Sequence, residues 1–455
     1  MTQSASPFLQ GVFAPWRQED NIAPLEVIGK LPADLQGVLL RNGPNPQFDP
    51  IGAYHWFNGD GMLHAIRIQN GQACYDNRWI RTPAFNLERE AGRPLFNSDL
   101  TQSASPSSAQ NMNTSPANTN IISYHNRLLA LCEGGLPVEI QGANLHTLGE
   151  YTFGGQIQRA LTAHPRFDHR CQEFLTYSYI DVDGRLLYYR LDRHQQLIAK
   201  EAIAWPYASM MHDFVNTEHT VIFSVFPCTM SIERMMRGES IFMWEGDQLQ
   251  THFIVTDRMG KEVLRIETDP CYVYHFGNAY EEGHTLVIDA LKSAVAALMP
   301  DRQGQIVTDE RSAAHLVRWR IDLQKRSIQL EDLDLSLGEF PRFDERFNGY
   351  SYRYLYRAGQ ANPGLSLDRI MAHDLLKNKK SEHIFGADMP GEPVFVPRSP
   401  QEGWGYILTV VYRTEEDRSD VVVLDAQQID AEPLAIIKIP HRIPFGFHGN
   451  FIPAA

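Results

Sequence analysis

Glu173-Phe174-Leu175-Thr176-Tyr177-Ser178-Tyr179, followed shortly by Asp183-Gly184, is the stretch whose reading decides the fold. A short run rich in aromatic and β-branched residues, closed by a turn-forming pair, reads as one β-strand and its turn. The same unit recurs along the chain, at 37–41, 62–68, 127–131, 219–225, 285–290, 316–321, 404–412 and 420–424. Asn70-Gly71 and Arg258-Met259-Gly260 are further turn signals of the same kind. Helix signals are few, at 87–91, 231–236 and 313–316.

Short strands at even spacing imply an all-β chain, either a β-propeller or a large sandwich. The 32 Gly and 27 Pro agree with many tight turns. At about 150 residues per domain, 455 residues would make about three domains. The strand pattern, however, runs on without a break between separate cores, so 1–455 is expected to be one domain. No WD or kelch repeat is present, so any blades are irregular. Residues 97–118, rich in Ser, Asn, Thr, Gln and Pro, read as a long loop.

Forty-one Lys and Arg against 55 Asp and Glu give a net charge of −14, which disfavours a nucleic-acid partner. The five Cys are odd in number, widely spaced and without a CxxC, against a disulfide framework or a Cys-based zinc site. The N-terminal stretch lacks the basic and apolar regions of a signal peptide, and no apolar run reaches 18 residues. A reducing, cytoplasmic location is the expectation, with no obligate protein partner.

Seventeen His are many for this length, and four differ in context from the rest. They are His164 in Ala163-His164-Pro165, His212 in Met211-His212-Asp213-Phe214, His275 in Tyr274-His275-Phe276-Gly277-Asn278, and His448 in Phe447-His448-Gly449-Asn450. Each sits in an apolar or aromatic setting beside Pro, Gly, Asp or Asn. The gaps of 48, 63 and 173 residues match no local metal motif, but ligands drawn from separate blades would be dispersed in this way.

Around these four, a larger set falls in order: Arg41-Asn42-Gly43-Pro44-Asn45-Pro46, Phe57-Asn58-Gly59-Asp60-Gly61-Met62, Ala117-Asn118-Thr119-Asn120, Cys132-Glu133-Gly134-Gly135, Glu339-Phe340-Pro341-Arg342 and Gly391-Glu392-Pro393. The chain thereby resembles the carotenoid cleavage oxygenases, the retinal-pigment-epithelium protein superfamily, and most nearly its apocarotenoid 15,15′-oxygenase branch. The resemblance implies a single seven-bladed β-propeller, with a few short helices and loops forming a dome over an iron site. It implies Fe(II) held by His164, His212, His275 and His448, one ion per chain, with O2 as co-substrate. It places Glu133, Glu339 and Glu392 behind three of the ligands, leaving His164 without a carboxylate, and Thr119 beside an open position in a steric and orienting role.

The implied reaction is oxidative cleavage of a conjugated C=C bond of an apolar polyene, first of all the 15,15′ bond of an apocarotenoid to give retinal. Stilbene-cleaving members of the family hold a phenol with a Lys and a Tyr. Cys132 stands at the Lys position and Phe85 where the Tyr is expected, which favours a polyene. Cleavage of a stilbenoid is the alternative within the family, and a non-catalytic binding scaffold the alternative outside it. Three departures from the family pattern bear on the shape of the substrate tunnel: Cys132, the pair Met210-Met211, and Asn450-Phe451 where Ser or Thr before Trp is usual. Residues 231–244 interleave Ile232, Met235, Met236, Ile241, Phe242, Met243 and Trp244 with Arg234 and Arg237, a composition suited to peripheral membrane contact.

Overall fold

The computed structural model describes residues 6–96, 113–180 and 184–454. Residues 97–112 of the expected loop lie outside the described residues, as does Asp183 of the expected turn; 113–118 carry no regular secondary structure. The chain is built almost wholly of short antiparallel strands. All nine strand segments expected from the sequence are strands, for example Glu173–Ser178, Thr220–Val225 and Gly405–Arg413.

Two of the three expected helices form. Pro83–Ala91 is capped by Thr82, whose side chain accepts the Phe85 N–H, and ends at Gly92 in the left-handed region (φ 65°). Ile232–Met236 is capped by Ser231. The third expectation is overturned: 313–316 is not a helix. His315–Asp322 is a strand paired with both Thr285–Ser293 and Ser327–Phe343. Two flanking ladders fix its extended backbone, and the local Ala-Ala helix preference is too weak to compete.

Several sheets follow the chain in simple up-and-down order. Asn120–Tyr124, Arg127–Leu131, Val138–Gln141 and His146–Glu150 form one, and Arg166–Asp168 through Leu197–Ala204 the next. Tyr272–Glu282 opens a seven-stranded sheet that ends at Lys379–Ile384. Its middle strand, Ser327–Phe343, is shared: residues 327–337 pair with His315–Asp322, and residues 338–343 with Tyr354–Gly359. The last strand, Gly449–Pro453, returns to pair with Gly37–Pro44 near the start of the chain.

Each sheet packs its buried face on the next. Leu63 and Ile121 share one apolar cluster, Leu129 and Phe174 another, and Tyr177 and Phe223 a third. The series continues through Phe253 with Trp319, Leu316 with Leu355, and Tyr356 with Ile407. Leu408 and Val421 then pack on Leu39 and Ile66, which returns the series to the first sheet. Alternating apolar residues on each strand make these clusters, and burying each large apolar side chain stabilises by about 1.5–3 kcal/mol. The all-β expectation holds, and the cyclic packing agrees with a propeller.

Cyclic packing brings residues at or beside strands of several sheets to a common centre. His164 lies just before Arg166–Asp168, His212 just before Val215–Asn216, and His448 just before Gly449–Pro453. His275 lies inside Tyr272–Glu282, where the register shifts between Val273 and Phe276. Thr119 immediately precedes Asn120–Tyr124.

Candidate metal centre

The four histidines expected from the sequence converge. Their ligand nitrogens all lie within 4.8 Å of one another. His164 Nε2 is 3.0 Å from His212 Nε2, which is 3.1 Å from His275 Nε2, which in turn is 3.1 Å from His448 Nε2. Adjacent ligands at right angles on an ion with bonds of about 2.1 Å stand about 3.0 Å apart.

The opposite ring nitrogens decide what those facing atoms are. His212 Nδ1–H donates to Glu133, His275 Nδ1–H to Glu339 at 2.6 Å, and His448 Nδ1–H to Glu392 at 2.8 Å. A ring that donates from Nδ1 while neutral presents a bare lone pair at Nε2. Such lone pairs aimed at one point 3 Å apart repel one another unless a cation lies between them. The donor set therefore fits a metal ion, and a carboxylate behind a histidine is the usual way to fix the ring of a ligand. His164 has no carboxylate within ion-pair distance among the described residues; its backbone N–H donates to Thr162 Oγ1 at 3.1 Å.

Electrostatics favours the neutral ring at His164 and His448. Burial and the neighbouring imidazoles hold His164 well below the ordinary histidine range. Burial also dominates at His448, which is held at about 4 despite Glu392. At His212 burial opposes the charge but the Glu133 carboxylate outweighs it, and the net shift is upward.

The three carboxylates are held by different means. Glu392 is buried; burial alone would raise its pKa, but Arg342, His448 and the Gly449 N–H bring it down to about 2. Glu339 Oε2 also accepts the N–H of Phe340, a bulky residue in the left-handed region (φ 58°) at a register shift in its strand. Such backbone costs about 1–3 kcal/mol and clusters at functional sites. Phe340 stacks on His275, with ring centroids 5.4 Å apart. Glu133 follows Arg127–Leu131 and takes the phenolic O–H of Tyr179 on its second oxygen.

The other motifs pin loops around this centre. Asn42 Nδ2 donates to Ala117 O at 2.7 Å and to Asn120 O at 2.9 Å, and Asn118 Nδ2 donates to Phe57 O at 2.8 Å and to Gly59 O at 2.7 Å. Gly391 leaves room for Arg41: a Cβ there would stand 2.2 Å from its guanidinium. Asn450, one of the departures from the family pattern, donates to Ile121 O at 2.8 Å and accepts from Arg342 at 2.7 Å. Met211 is fully buried behind His212, whereas Met210 faces the cavity.

A cavity of about 700 Å3 opens onto His212, His275 and His448. Phe57, Tyr274, Phe340 and Phe447 wall it with aromatic surface, and Thr119, Cys132 and Tyr179 line it near the metal ligands. Thr119 Oγ1 bonds Asn118 Oδ1 at 3.0 Å, and its carbonyl accepts the His448 N–H at 3.2 Å. Polar groups also reach the wall, among them Asp60, Thr82 and Glu88. Burial pushes the Asp60 carboxyl up to about 7, with Glu88 adding to the shift.

Phe85 falls elsewhere than expected. Its ring is buried against Met62 and Trp79 and is not part of the cavity wall; Thr82 and Ala84 are. In the 231–244 segment, Met235, Ile241 and Phe242 line the cavity, and of the large apolar residues only Ile232 and Met236 are strongly exposed, at 55% and 66%. Arg234 turns inward to Thr229 O at 2.7 Å. No helix among the described residues is long and apolar enough to cross a membrane.

Tyr179 and the role of Arg342 were not found from the sequence. Arg342 was visible within a motif, but its contact with Glu392 is non-local. Tyr179 stands just past the strand Glu173–Ser178, where only its spacing of two from inward-facing Tyr177 hints at a shared face.

Residues 13–453 match the family model described as retinal pigment epithelial membrane protein. An isoeugenol monooxygenase of Pseudomonas putida is 34% identical over 97% of both chains. The lignostilbene dioxygenase of Pseudomonas brassicacearum superposes with a TM-score of 0.92 at 30% identity, over 99% of both chains. The cobalt-substituted apocarotenoid oxygenase of Synechocystis superposes with a TM-score of 0.87 at 28% identity, over 97% of both chains. With four histidines at one centre, three of them backed by carboxylates, and with these relatives along its whole length, this chain belongs to the retinal pigment epithelial membrane protein family and is an oxygenase of the carotenoid cleavage superfamily.

Proposed function

We propose that the chain cleaves the conjugated C=C bond of an aryl-alkene of the stilbenoid type with O2. The double bond breaks, both oxygen atoms are used, and two carbonyl products form. The observation that carries the reading is the four-histidine centre at the head of an aromatic-walled cavity, in a chain most of whose length aligns with isoeugenol monooxygenases at 33–34% identity. Polar groups such as Asp60, Thr82 and Glu88 on the wall suit a substrate that carries hydroxyl or ether oxygens better than a bare hydrocarbon polyene.

His164, His212, His275 and His448 would hold Fe(II), and the bound iron supplies the redox chemistry that makes O2 reactive. Glu133, Glu339 and Glu392 keep three rings in the tautomer that presents Nε2. Phe57, Tyr274, Phe340 and Phe447 hold a planar conjugated substrate and exclude water from it. Thr119, tied to Asn118, limits how closely the substrate approaches, which is a steric and orienting role.

A second reading, 15,15′ cleavage of an apocarotenoid to retinal, is favoured by one observation: Cys132 lines the cavity where a phenol-binding Lys is expected. Product analysis by mass spectrometry on isoeugenol, hydroxystilbenes and apocarotenals decides. Vanillin-type aldehydes from the aryl-alkenes support the first reading; retinal alone overturns it.

The fold reading extends in the same way. We propose one domain of seven blades, each placing one residue at the centre: Thr119, His164, His212, His275, Glu339, Glu392 and His448. At 455 residues that is about 65 residues per blade. A peripheral membrane contact through exposed Ile232 and Met236 belongs with this proposal.

A further inference from the structure

Glu133 has a partner that the other two carboxylates lack. Glu392 is fixed by the Arg342 guanidinium at 3.2 Å and by the Gly449 N–H at 2.8 Å. Glu339 is fixed by the N–H of the next residue, Phe340, at 2.8 Å. Glu133 follows its strand on a turn before Gly134-Gly135, and neither an arginine nor a backbone N–H is bonded to its carboxylate among the described residues. Its Oε1 takes the His212 Nδ1–H, and its Oε2 takes the Tyr179 O–H.

Tyr179 is well built for that task. It is 2% exposed, and burial followed by the Glu133 charge pushes its phenol far above the ordinary range, so it remains a donor. Its ring packs on Trp205 and Tyr177. Tyr177, two residues earlier on the same face, donates to Met211 O at 2.6 Å, and Thr162 Oγ1 donates to His212 O at 3.2 Å. The end of one strand, with the residue just past it, thus holds both the backbone that carries His212 and the carboxylate behind its ring.

We propose that Tyr179 is a positioning residue for the metal centre, which clamps Glu133 onto His212 and sets the hold of His212 on the metal. The inference rests on the metal-centre reading above. It goes beyond it in naming a phenol, outside the carboxylate layer and on the cavity wall, as part of the metal-binding apparatus.

The test is a double-mutant cycle on metal affinity, read with Co(II) in the purified full chain by calorimetry and by the visible absorption of the bound ion. Tyr179→Phe removes one oxygen and keeps the ring packing. It is expected to weaken Co(II) binding by about 10-fold, the low end of the range for outer partners of a metal ligand, and to shift the Co(II) spectrum. In a Glu133→Gln background the same change should add less than about 2-fold, because the residue it acts through has already been altered. Thermal melting of the metal-free proteins, together with Tyr177→Phe as a control for the backbone clamp, separates loss of fold from loss of affinity.

An unchanged affinity and spectrum in Tyr179→Phe, with the wild type binding Co(II), overturns the role of Tyr179 alone. Full additivity with Glu133→Gln also overturns it, since the phenol would then act by another route. A wild type that binds no divalent metal overturns the metal centre and this inference with it.

Discussion

Arg342 Nη1 lies 3.2 Å from Glu392 Oε1, the same oxygen that accepts the His448 Nδ1–H at 2.8 Å. One guanidinium thus steadies the carboxylate that steadies the metal-binding ring. Arg342 is itself tied down by Gly449 O at 3.0 Å and by Asn450 Oδ1 at 2.7 Å. Arg342→Met leaves a buried carboxylate with one less cation, which should cost about 3–5 kcal/mol in chemical denaturation at pH 7.

The same pair sets an acid limb. The Glu392 carboxyl is lowered from an ordinary 4.5 to about 2 in the folded chain. A lowered acid contributes stability above its unfolded pKa and loses it as pH falls through its folded pKa. The contribution of Glu392 should therefore be present above about pH 4.5 and fade toward about pH 2, and Glu392→Gln should flatten that part of the stability profile. Denaturation midpoints measured from pH 7 down to the acid transition check the slope.

His212→Ala removes the ring that lies between His164 and His275 in the chain of facing nitrogens. Metal content measured by atomic emission should fall below about one tenth of the wild-type value, and C=C cleavage should be lost with it. His125→Ala, at an exposed turn, should leave both unchanged. A metal-replete, active His212→Ala would remove His212 from the ligand set.

Cys132 lines the cavity directly beside Glu133. Cys132→Lys places a cation where stilbene-cleaving members of the family are expected to carry one. On the stilbenoid reading, KM for a 4-hydroxystilbene should fall several-fold, while KM for its methyl ether stays within about 2-fold. Equal changes for both substrates would show that the phenol does not reach this position.

Ile232 and Met236 expose more than half of their surface on a short helix whose third apolar residue, Met235, faces the cavity. Charging both, as Ile232→Glu with Met236→Glu, should reduce co-sedimentation with neutral phosphatidylcholine vesicles and leave the melting temperature within about 2 °C. Phe242 is unsuited to this test because it is 8% exposed and belongs to the apolar core.

The parts of the fold legible in the sequence were those that a local pattern decides. Strands such as Glu173–Ser178 and Gly405–Arg413 carry their own alternation and turn signals. The segment at 313–316 was misread because pairing decides it: His315 is placed by Leu337, 22 residues on, and by Lys292 before it. The four histidines are 48, 63 and 173 residues apart, so only their flanking motifs made them visible. Phe85 was assigned by position in the sequence, whereas the Thr82-capped helix turns its ring into the pocket of Met62 and Trp79. Tyr179 escaped because a buried tyrosine at a strand end ordinarily means packing, and its bond to Glu133 crosses 46 residues.

The pairing of Gly449–Pro453 with Gly37–Pro44 has a consequence for how the metal site is assembled. His448 is placed by the strand that makes this pairing, so the fourth nitrogen reaches the centre only once Gly449 has paired with Arg41. Until then three histidines stand without the fourth. Formation of this strand pair and completion of the four-nitrogen set are therefore one step.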